Sequence, residues 1–446
     1  MAHIPHLGRS RIAKAMTDAT ESDKDFEQAD ATLVAVRVVI CIDSDQARTA
    51  AGQAAVLTII TTCCKCFGRV VLVCADEPAM NRQLGLGATL LEAARACGAE
   101  VSPTQPMDTT HVVSIGSAIA EEGFVRCWWD SWTAGILPGW EGEPMGNSAN
   151  PLSGIFSGAL AVREIFANVI GRRRGVVRSS KVSLWCPQGG ESCHPPNILT
   201  LPKSLWLVGL GHLGQGFLWS LGFLPPAAHA ILQDDQTAGE ENVATGLVTR
   251  QSDFERKNHK TRVAARWLEG AGWTTSILER RNYGDLRLTA DDPAVVLTSI
   301  DEPLARIDIA KAGYSFLVDA GVGHGAVDFE IGQVRVVPRG VDPEGLWSRP
   351  PNPKDIDAML QKRAYRAHAR KHDNCGTFSL AEASVAVPFV GAAIGALTIA
   401  QLLRLAALGS TSQIIQIELG MPEAISMGVV NPPSDVGLGG VEFSFA

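Results

Sequence analysis

The chain has 446 residues, of which 46% are hydrophobic and 19% are charged. These values lie near globular averages, so disorder over most of the length is excluded, and the chain is long enough for two or three domains. There are 39 lysine and arginine residues against 47 aspartate and glutamate residues, a net charge of −8. A dedicated nucleic-acid-binding protein usually has a strong basic excess. The composition therefore favours an acidic enzyme, or a partner of other proteins, with no nucleic-acid partner.

The N-terminus has no apolar stretch of the kind that a secretory signal needs. Ten cysteines in such a chain indicate a reducing compartment and free thiols rather than disulfides, so we expect a cytoplasmic protein. One uncharged run, residues 383–403, is long enough to span a bilayer. Its many alanine and glycine residues, together with Pro388 and Gln401, favour a buried core helix, and no membrane partner is predicted.

Residues 1–30 are polar and are interpreted as an N-terminal arm with a short amphipathic helix. Residues 31–187 are predicted to form an α/β domain, because short β-branched runs alternate with helix-length segments. Its strands are expected at residues 33–41, 69–74 and 112–115, and its helices at residues 46–66 and 80–97. No glycine-rich turn follows the first strand. Asp43 and Asp45 stand there instead, and because carboxylates repel phosphate, this domain is not expected to bind a nucleotide.

Residues 188–446 are predicted to form a second α/β domain. Its strands are expected at residues 204–208, 230–232, 295–299, 316–319 and 414–419, and its helices at residues 215–221, 261–268 and along the late apolar run. A Pro-rich, basic crossover loop with little strand character is expected at residues 337–375. Because the two α/β halves have similar lengths, a duplicated fold with one degenerate half remains open.

A G-x-G-x-x-G loop formed by Gly209, Gly211 and Gly214 follows a predicted strand and precedes a predicted helix. Glycines at these positions allow a tight turn, close approach of a phosphate and close packing of helix on strand. An acidic residue about 20 positions later is expected to bind a ribose, and Asp234 and Asp235 meet this requirement equally well. Alone, the loop is weak evidence for one cofactor. A nicotinamide-dependent oxidoreductase and a structural turn without a ligand both remain open.

The polar segment after this acidic pair favours a nucleotide triphosphate. Asn242, Arg250 and Lys260 lie along it, and arginine can grip phosphate oxygens in a fork while lysine acts as a point charge. A dinucleotide enzyme has no such need at this place. Asp301 then follows a predicted strand, with Arg306 five residues later. A carboxylate at that end of a strand faces the ligand crevice and can hold Mg²⁺.

In this order along the chain, the residues resemble the adenylating domain of the ThiF/MoeB/ubiquitin-activating-enzyme superfamily, over about residues 204–405. The matching positions are Gly209, Gly211, Gly214, Asp234, Asn242, Arg250-Gln251, Lys260, and Asp301 with Arg306. The resemblance implies a Rossmann-like adenylating domain with a mixed sheet, preceded by a second Rossmann-like α/β domain that is inactive or serves for docking. It implies ATP and Mg²⁺ as cofactors. Asp234 would take the ribose, Asn242, Arg250 and Lys260 the phosphates, and Asp301 the Mg²⁺ that supports attack on the α-phosphate.

Two features depart from the family pattern. Gln236 stands where the second aspartate of a D-x-D element is expected, unless Asp235 substitutes for it. The spacing between Asn242 and Arg250 is also several residues longer than usual. Both departures concern the phosphate contacts rather than the class of enzyme.

Cys375 is the candidate acceptor thiol. It follows a run of basic residues that would stabilise a thiolate. These residues are Lys362, Arg363, Arg366, Arg370 and Lys371, with His368 and His372 between them. The pattern resembles activating enzymes of the UFM and autophagy types, in which the acceptor cysteine immediately precedes a glycine- and alanine-rich helix. An incidental loop thiol is the alternative, with Cys186 and Cys193 as the next candidate acceptors. The remaining cysteines are interpreted as core residues rather than zinc ligands.

The chain as a whole most resembles the BilD-like bacterial activating enzymes of antiphage conjugation operons. This resemblance implies a ubiquitin-like protein and a conjugating enzyme as partners, with adenylation of the modifier and then a thioester on Cys375. A homodimer is expected. A cation from the leading helix, Arg9 or Arg11, can reach a partner's ATP site in this superfamily, although a solvated arm is the simpler interpretation. A sulfur-carrier adenylyltransferase of cofactor biosynthesis is the main alternative, followed by the nicotinamide-dependent oxidoreductase.

Overall fold

The computed structural model describes residues 8–19, 23–117, 123–172, 175–189, 194–225, 229–347, 356–372, 374–429 and 438–445. In the first half a seven-stranded sheet has the order β3-β2-β1-β4-β5-β6-β7, with β5–β6 and β6–β7 antiparallel and the other pairs parallel. The elements are α1 Ser10–Thr17, α2 Phe26–Val34, β1 Arg37–Ile42, α3 Ser44–Ala47, α4 Ala50–Cys66, β2 Arg69–Cys74, α5 Leu90–Cys97, β3 Glu100–Ser102, β4 His111–Ile115, β5 Val125–Asp130, β6 Thr133–Pro138, α6 Pro151–Val169 and β7 Ser180–Ser183.

The second half contains an eight-stranded sheet of order β11-β10-β9-β12-β13-β14-β15-β16, which is parallel from β11 to β13 and antiparallel beyond. A separate strand pair, β8 and β17, adjoins it. The elements are β8 Leu199–Pro202, β9 Ser204–Val208, α7 His212–Gly222, β10 His229–Gln233, α8 Glu240–Thr245, α9 Gln251–Glu255, α10 Lys260–Gly270, β11 Thr274–Leu278, β12 Val295–Thr298, α11 Pro303–Lys311, β13 Phe316–Val322, β14 Ile331–Pro338, α12 Ile356–Leu360, α13 Arg363–Lys371, α14 Asn374–Glu382, α15 Pro388–Leu408, β15 Ile414–Glu418, β16 Ile425–Met427 and β17 Gly440–Phe443.

The core is continuous between the two halves and is built around the helices α4, α6, α7 and α15. Within each half the two core helices pack closely through glycine. A Cβ on Gly154 of α6 would lie 2.0 Å from the Ala51 carbonyl oxygen of α4, and a Cβ on Gly216 of α7 would lie 2.0 Å from the Gly391 carbonyl oxygen of α15. The contact between halves is thus part of the main core.

Two helices, α6 and α15, are long and apolar enough to cross a membrane by length and composition. However, 89% and 94% of their most apolar windows are buried inside the protein. The interpretation of the late apolar run as a buried helix is therefore confirmed, although α15 begins at Pro388, where a proline at the first helical turn is favourable.

The predicted strands that consist of β-branched and apolar runs are confirmed. β2 and β9 have the predicted bounds, and β4, β10, β12, β13 and β15 differ by one to three residues at an end. The fold class, two Rossmann-like α/β units with mixed sheets, is confirmed by the strand order, because the order 3-2-1-4-5 with a central switch point defines this class.

Several boundaries were predicted wrongly where side-chain caps override an apolar pattern. Leu33 belongs to α2, which starts at a capping box between Asp25 and Gln28, so the first strand begins only at Arg37. The helix predicted at residues 80–97 is reduced to α5, because Thr89 caps it. The sequence analysis also missed the helix α6 and the strands β3, β5, β6, β7, β8, β11, β14, β16 and β17.

The crossover region at residues 337–375 is not only a loop. Its described part contains the end of β14, the helices α12 and α13, and the start of α14. α13 forms because Ala364, Tyr365 and His368 share one face, which packs with the N-terminal helices. Cys375 consequently lies inside α14, and not directly before the long apolar helix.

Among the described residues seven cysteines are free, as predicted for them, and five of these seven are buried; the free ones are Cys41, Cys63, Cys64, Cys66, Cys74, Cys97 and Cys127. Cys186 is disulfide-bonded. The expectation that all thiols are free is therefore wrong at Cys186, which lies beyond β7 in a turn rather than in the interior of a strand or helix.

Candidate functional site

The glycine loop lies where the strand order of the second sheet reverses. β9 is flanked by β10 on one side and by β12 on the other, and ligands of doubly wound sheets bind in the crevice at this point. Gly209 has a φ of +83°, which residues with a side chain rarely adopt. Its carbonyl accepts a hydrogen bond from Ser299 Oγ at 2.8 Å. The loop is therefore tied to the end of β12.

Gly211 and Gly214 have different surroundings. A Cβ on Gly214 would lie 2.1 Å from the Gly209 carbonyl oxygen, so glycine is needed for α7 to pack this closely. A Cβ on Gly211 would meet no atom of the described residues within 4 Å. Gly211 also caps α7, whose first N–H groups have no partner within the helix. Open space before these N–H groups, at the positive end of the helix dipole, fits a phosphate.

Asp234 is fixed against the glycine loop. Its Oδ2 accepts a hydrogen bond from the Leu210 N–H at 2.8 Å, and its Oδ1 accepts one from the Gln236 N–H at 2.8 Å. Asp235, in contrast, is exposed. Of the two acidic residues after β10, Asp234 is the one in contact with the loop, and it is the better candidate for the ribose.

Lys260, at the start of α10, is buried and donates a hydrogen bond to Gln236 Oε1 at 2.6 Å. Gln236 is the residue that departs from the D-x-D pattern. A neutral amide at this position satisfies the ammonium group without neutralising its charge, so the positive charge of Lys260 remains available to a phosphate.

Asn242 and Arg250 stand at the two ends of a buried connection. Asn242 Oδ1 accepts a hydrogen bond from the Gly239 N–H at 2.9 Å at the start of α8, so this oxygen serves the local structure. Arg250 is exposed, and its N–H donates to Asp253 Oδ2 at 2.9 Å. Asp253 in turn forms a salt bridge with Arg266. The guanidinium group of Arg250 is therefore carried on an anchored backbone.

Asp301 is exposed and lies three residues beyond the end of β12. Arg306 does not serve as its ion-pair partner. Its Nε donates to the Ile300 carbonyl at 2.5 Å and lies 3.4 Å from Asp319 Oδ1. Burial raises the pKa of Asp319 to about 6, against the opposing effects of Arg306 and of the hydrogen bond from Trp347. Arg306 thus holds the backbone next to Asp301 and leaves its carboxylate open.

The two arginines of the N-terminal helix have separate places. Arg9 is buried and pairs with Asp30 through two hydrogen bonds of 2.6 and 3.1 Å. Arg11 donates to the Ser384 carbonyl at 3.0 Å. Burial lowers the pKa of Arg11, whereas the charges of Glu241 and Asp301 act in the opposite direction. Arg11 therefore stands near the candidate site of its own chain.

His212, the first residue of α7, is neutral at neutral pH. Burial lowers its pKa to about 4, the hydrogen bond to the Val387 carbonyl opposes this shift, and the charge of Arg11 adds to it. Because a carbonyl only accepts, the Nε2–H of His212 donates to Val387, at 2.8 Å. The glycine loop is thereby attached to the start of α15.

Cys375 is the second residue of α14, and its side chain lies outside the described residues. α14 is anchored to the N-terminal helix, because the Leu380 carbonyl accepts a hydrogen bond from Lys14 Nζ at 2.9 Å. In the neighbouring α13, the ammonium group of Lys371 pairs with Glu27 at 2.5 Å. Arg363, Arg366 and Arg370 of the same helix are not buried. The structure therefore brings α14 to the N-terminal helices, while the acceptor role of Cys375 stays a prediction.

Among the residues that the structure describes, no group of three His, Cys, Asp or Glu side chains forms a metal cluster. The donor set at Asp301 is a single open carboxylate. This is chemically suitable for Mg²⁺, which is commonly bound by one or two carboxylates together with phosphates of the substrate.

Two family models cover most of the chain. The one described as BilD N-terminal domain matches residues 37–184, and the one described as BilD C-terminal domain matches residues 201–409. The chain belongs to the BilD family. A relative described as bacterial E1-like protein BilD, from Collimonas sp. (strain OK412), is 28% identical over 445 residues, which cover 96% of this chain and 95% of the relative. The resemblance predicted from the glycine loop and its downstream residues is therefore confirmed.

Solved structures of E. coli MccB are more distantly similar. The complex of MccB with MccA-N7isoASN has a TM-score of 0.35 at 15% identity, and the match covers 50% of this chain and 63% of MccB. The complex with N-formylated MccA has a TM-score of 0.34 at 14% identity, with 50% and 64% covered. The chain thus spans less than two thirds of the length of these solved structures.

Three residues near the site were missed, or were given only part of their contacts, by the sequence analysis of this BilD-family chain. Ser299 ends the predicted strand but was given no role, and His212 was considered only as part of the loop. Arg11 was considered as a contact to a partner's ATP site, which stays a prediction; within its own chain it donates to the Ser384 carbonyl, and the charges of Glu241 and Asp301 act on it. No signal in the sequence shows this contact, because it joins residues 373 positions apart.

Proposed function

We propose that this chain activates a ubiquitin-like protein by adenylating its C-terminal carboxylate with ATP. The observation that carries the proposal is the open glycine loop at the switch point of the second sheet, in a BilD-family chain whose relative is described as E1-like. Asp234 and Asp301 lie at the ends of the strands on either side of this loop, and Lys260, Arg250 and Arg11 add cations. This composition suits a triphosphate better than a dinucleotide.

In the first step, a carboxylate oxygen of the modifier attacks the α-phosphorus of ATP, and the bond to pyrophosphate breaks. The N–H groups at the start of α7 bind phosphate oxygens, and Asp234 holds the loop and takes the ribose. Arg250 and Lys260 offset phosphate charge. Asp301 would hold Mg²⁺, which supplies charge neutralisation when bound. Positioning and electrostatic stabilisation account for the rate, because the protein itself need not react covalently in this step.

In the second step, the thiolate of Cys375 attacks the acyl carbon of the adenylate, AMP leaves and a thioester forms. The modifier then passes to a conjugating enzyme. A homodimer, a cytoplasmic location and a role in antiphage defence belong to the same proposal. They follow from the resemblance of the chain to activating enzymes of bacterial antiphage conjugation operons. A sulfur-carrier adenylyltransferase would share only the first step, and a nicotinamide-dependent oxidoreductase would share only the glycine loop.

The first step is tested by ATP–pyrophosphate exchange, with and without a ubiquitin-fold protein encoded beside this chain. The Asp301→Ala variant should lose at least about 100-fold in rate, since removal of a Mg²⁺ ligand removes several kcal/mol of transition-state stabilisation. Its melting temperature should not change, because Asp301 is exposed. Glu302→Ala is the matched control, since this neighbouring carboxylate pairs with Arg281. Normal exchange in Asp301→Ala would reject the assignment, and binding of NAD(H) in place of ATP would reject the function.

The second step is tested separately with Cys375→Ala. Exchange should stay near the wild-type rate, because the nucleotide residues do not include Cys375, while the reductant-sensitive adduct with the modifier should disappear. In Cys375→Ser, an oxygen ester, if it forms, should resist reductant. Cys127→Ala is the matched control, because that thiol is fully buried. A reductant-sensitive adduct that persists in Cys375→Ala would move the acceptor role to another cysteine.

A further inference from the structure

The connection at residues 243–249 joins two predicted phosphate-binding residues, Asn242 and Arg250, and all seven of its residues are buried. On one side it is held by Gln215 of α7. Gln215 Oε1 accepts hydrogen bonds from the Val248 N–H at 2.9 Å and the Thr249 N–H at 3.1 Å, and its Nε2 donates to Thr249 Oγ1 at 2.8 Å. The helix that carries the glycine loop therefore fixes the C-terminal end of this connection.

On the other side the same connection is held by a residue of the first half. Lys65, in the last turn of α4, is 9% exposed. Its Nζ donates to the Val243 carbonyl at 2.5 Å and to the Thr249 carbonyl at 3.1 Å. The first carbonyl belongs to the last turn of α8, where carbonyls lack partners within a helix. The second immediately precedes Arg250. One ammonium group thus joins both ends of the connection.

A buried ammonium group at this place is energetically demanding. Burial lowers the pKa of Lys65 to about 8, while nearby Cys64, Cys97, Cys66 and Asp253 act in the opposite direction. A lysine that served only to fill space would be less favourable here than an apolar residue of similar length. Its hydrogen bonds to two carbonyls of the other half give it a more specific role.

We propose that Lys65 is a positioning residue for the nucleotide site: by fixing both ends of the connection at residues 243–249, it sets the position of the Arg250 guanidinium. This inference rests on the proposed ATP-dependent function and deepens it. The first half then contributes a defined contact to the site of the second half.

The inference is tested by the affinity for a fluorescent ATP analogue, measured directly on the whole chain without the modifier. Lys65→Met removes the ammonium group at nearly constant length, and the affinity should fall about tenfold, the effect of losing one hydrogen bond to a charged group. Lys65→Arg, which keeps a cation and donors, should recover most of the loss. Hydrogen exchange of the amides at residues 246–250 should become faster in Lys65→Met than in the wild type.

Arg82→Met is the matched control. Arg82 is also a cation of the first half that donates to a carbonyl of the second, Leu224, at 2.8 Å. Leu224 lies beyond the C-terminal end of α7, so about 16 Å of helix separates it from the glycine loop. The control should therefore keep its ATP affinity. An equal loss in Arg82→Met would overturn the positioning role and indicate a general effect of the interface.

Failure of the inference can be told from failure of the proposed function. If the wild type binds the analogue and folded Lys65→Met binds it equally well, with unchanged amide exchange, the positioning role is wrong and the function stands. If the wild type does not bind the analogue, the proposed function fails and the inference fails with it. Should Lys65→Met not fold, Lys65→Gln takes its place with the same two outcomes.

Discussion

The two halves of the chain share one strand order. They differ at the carboxyl end of the strands, where a nucleotide would bind. Numbered from its own first strand, each sheet has the order 3-2-1-4-5-6-7, and the second sheet adds β16. The last two pairs of these seven strands are antiparallel in both sheets. α6 and α15 occupy the same place in this order, after the sixth strand. The duplicated fold that the sequence left open is therefore present in the architecture.

Directly after the first strand of its sheet, the first half has a carboxylate, Asp43, where the second half has Gly209. Asp43, directly after β1, accepts hydrogen bonds from the Gln46 N–H at 2.7 Å and from Ser117 Oγ at 2.8 Å. In the second half a serine that follows the neighbouring strand β12, Ser299, donates from its Oγ to the Gly209 carbonyl. A Cβ on Gly116 would lie 2.1 Å from Asp43 Oδ2. The Asp43 side chain thus lies against Gly116, in the turn that follows the neighbouring strand β4.

A second position shows the same change. Asp76, after β2, forms a salt bridge of 2.5 Å with Arg48, whereas Asp234, after β10, contacts the backbone of the glycine loop. In the first half the carboxylate after the second strand is thus paired with a cation. In the second half the carboxylate of Asp301 and the cations of Arg250 and Lys260 lack a carboxylate–cation pair among the described residues. The second half also contains ion pairs near strand ends, such as the one between Arg281 and Glu302, but the three predicted site residues are left available to a ligand.

The largest effect is expected at Lys65, through which the first half contacts the second. The effect is a change of the free energy of unfolding with pH. Lys65 has a pKa of about 8 in the folded chain and about 10.4 in an unfolded one. Between these values the unfolded chain binds more protons, so the free energy of unfolding should rise with pH, by at most about 3 kcal/mol from Lys65. Urea unfolding of the wild type and Lys65→Met at pH 7.5–10.5 measures this difference.

The nearby thiols require the comparison to be made between the two proteins. Burial raises the pKa of Cys64 and Cys66, so their contribution falls as pH rises, but both thiols are present in the wild type and in Lys65→Met. The charge of Lys65 lowers the pKa of both thiols, so the difference between the two curves reports the lysine together with its interaction with Cys64 and Cys66. If the free energies of unfolding of the two proteins changed with pH in parallel, Lys65 would not be desolvated in solution. The prediction of a buried ammonium group between the halves would then be wrong.

The sequence predicted the second half better than the first for a physical reason. In the second half the glycine loop and short β-branched strands give local signals, and β9 has the predicted bounds. In the first half, Trp128 and Trp129 lie in β5, whose hairpin to β6 turns at Ser131 with a φ of 52°. A serine in that conformation gives no turn signal comparable to glycine, so β5 and β6 were missed.

The site itself was only partly accessible to sequence reasoning. The glycine loop, Asp234 and Asp301 follow strand ends, and strand ends can be predicted from local patterns. The contacts of Lys65 and Arg11 join elements more than 170 residues apart, and the packing of the two halves determines them. The spacing between Asn242 and Arg250 indicated an unusual segment, but not the residue that holds it.

An intermediate effect is expected when the Asp43 carboxylate, directly after β1, is removed. Asp43→Ala should lower the free energy of unfolding by about 2 kcal/mol, because the N-cap of α3 and the contact to Ser117 are both lost. ATP–pyrophosphate exchange should not change. Asp45→Ala, an exposed carboxylate two residues later, is the control and should be close to neutral. If Asp43→Ala lost exchange activity while keeping its stability, the first half would take part in the nucleotide reaction. The proposed difference between the two halves would then be wrong.

The smallest effect is expected at Gly211 and concerns binding rather than stability. Its φ is −79° and its ψ is −147°, a conformation that suits glycine better than alanine, but a Cβ there would meet no atom of the described residues within 4 Å. Gly211→Ala should therefore lower the melting temperature less than a substitution that clashes. Its methyl group would project into the space before the N–H groups of α7, so the affinity for an ATP analogue should fall several-fold, about 1 kcal/mol. Gly214→Ala is the contrasting variant, since its Cβ would clash with the Gly209 carbonyl and lower the melting temperature. If Gly211→Ala binds the analogue as tightly as the wild type, the phosphates do not lie against the glycine loop. The open space at Gly211 is then not the phosphate site.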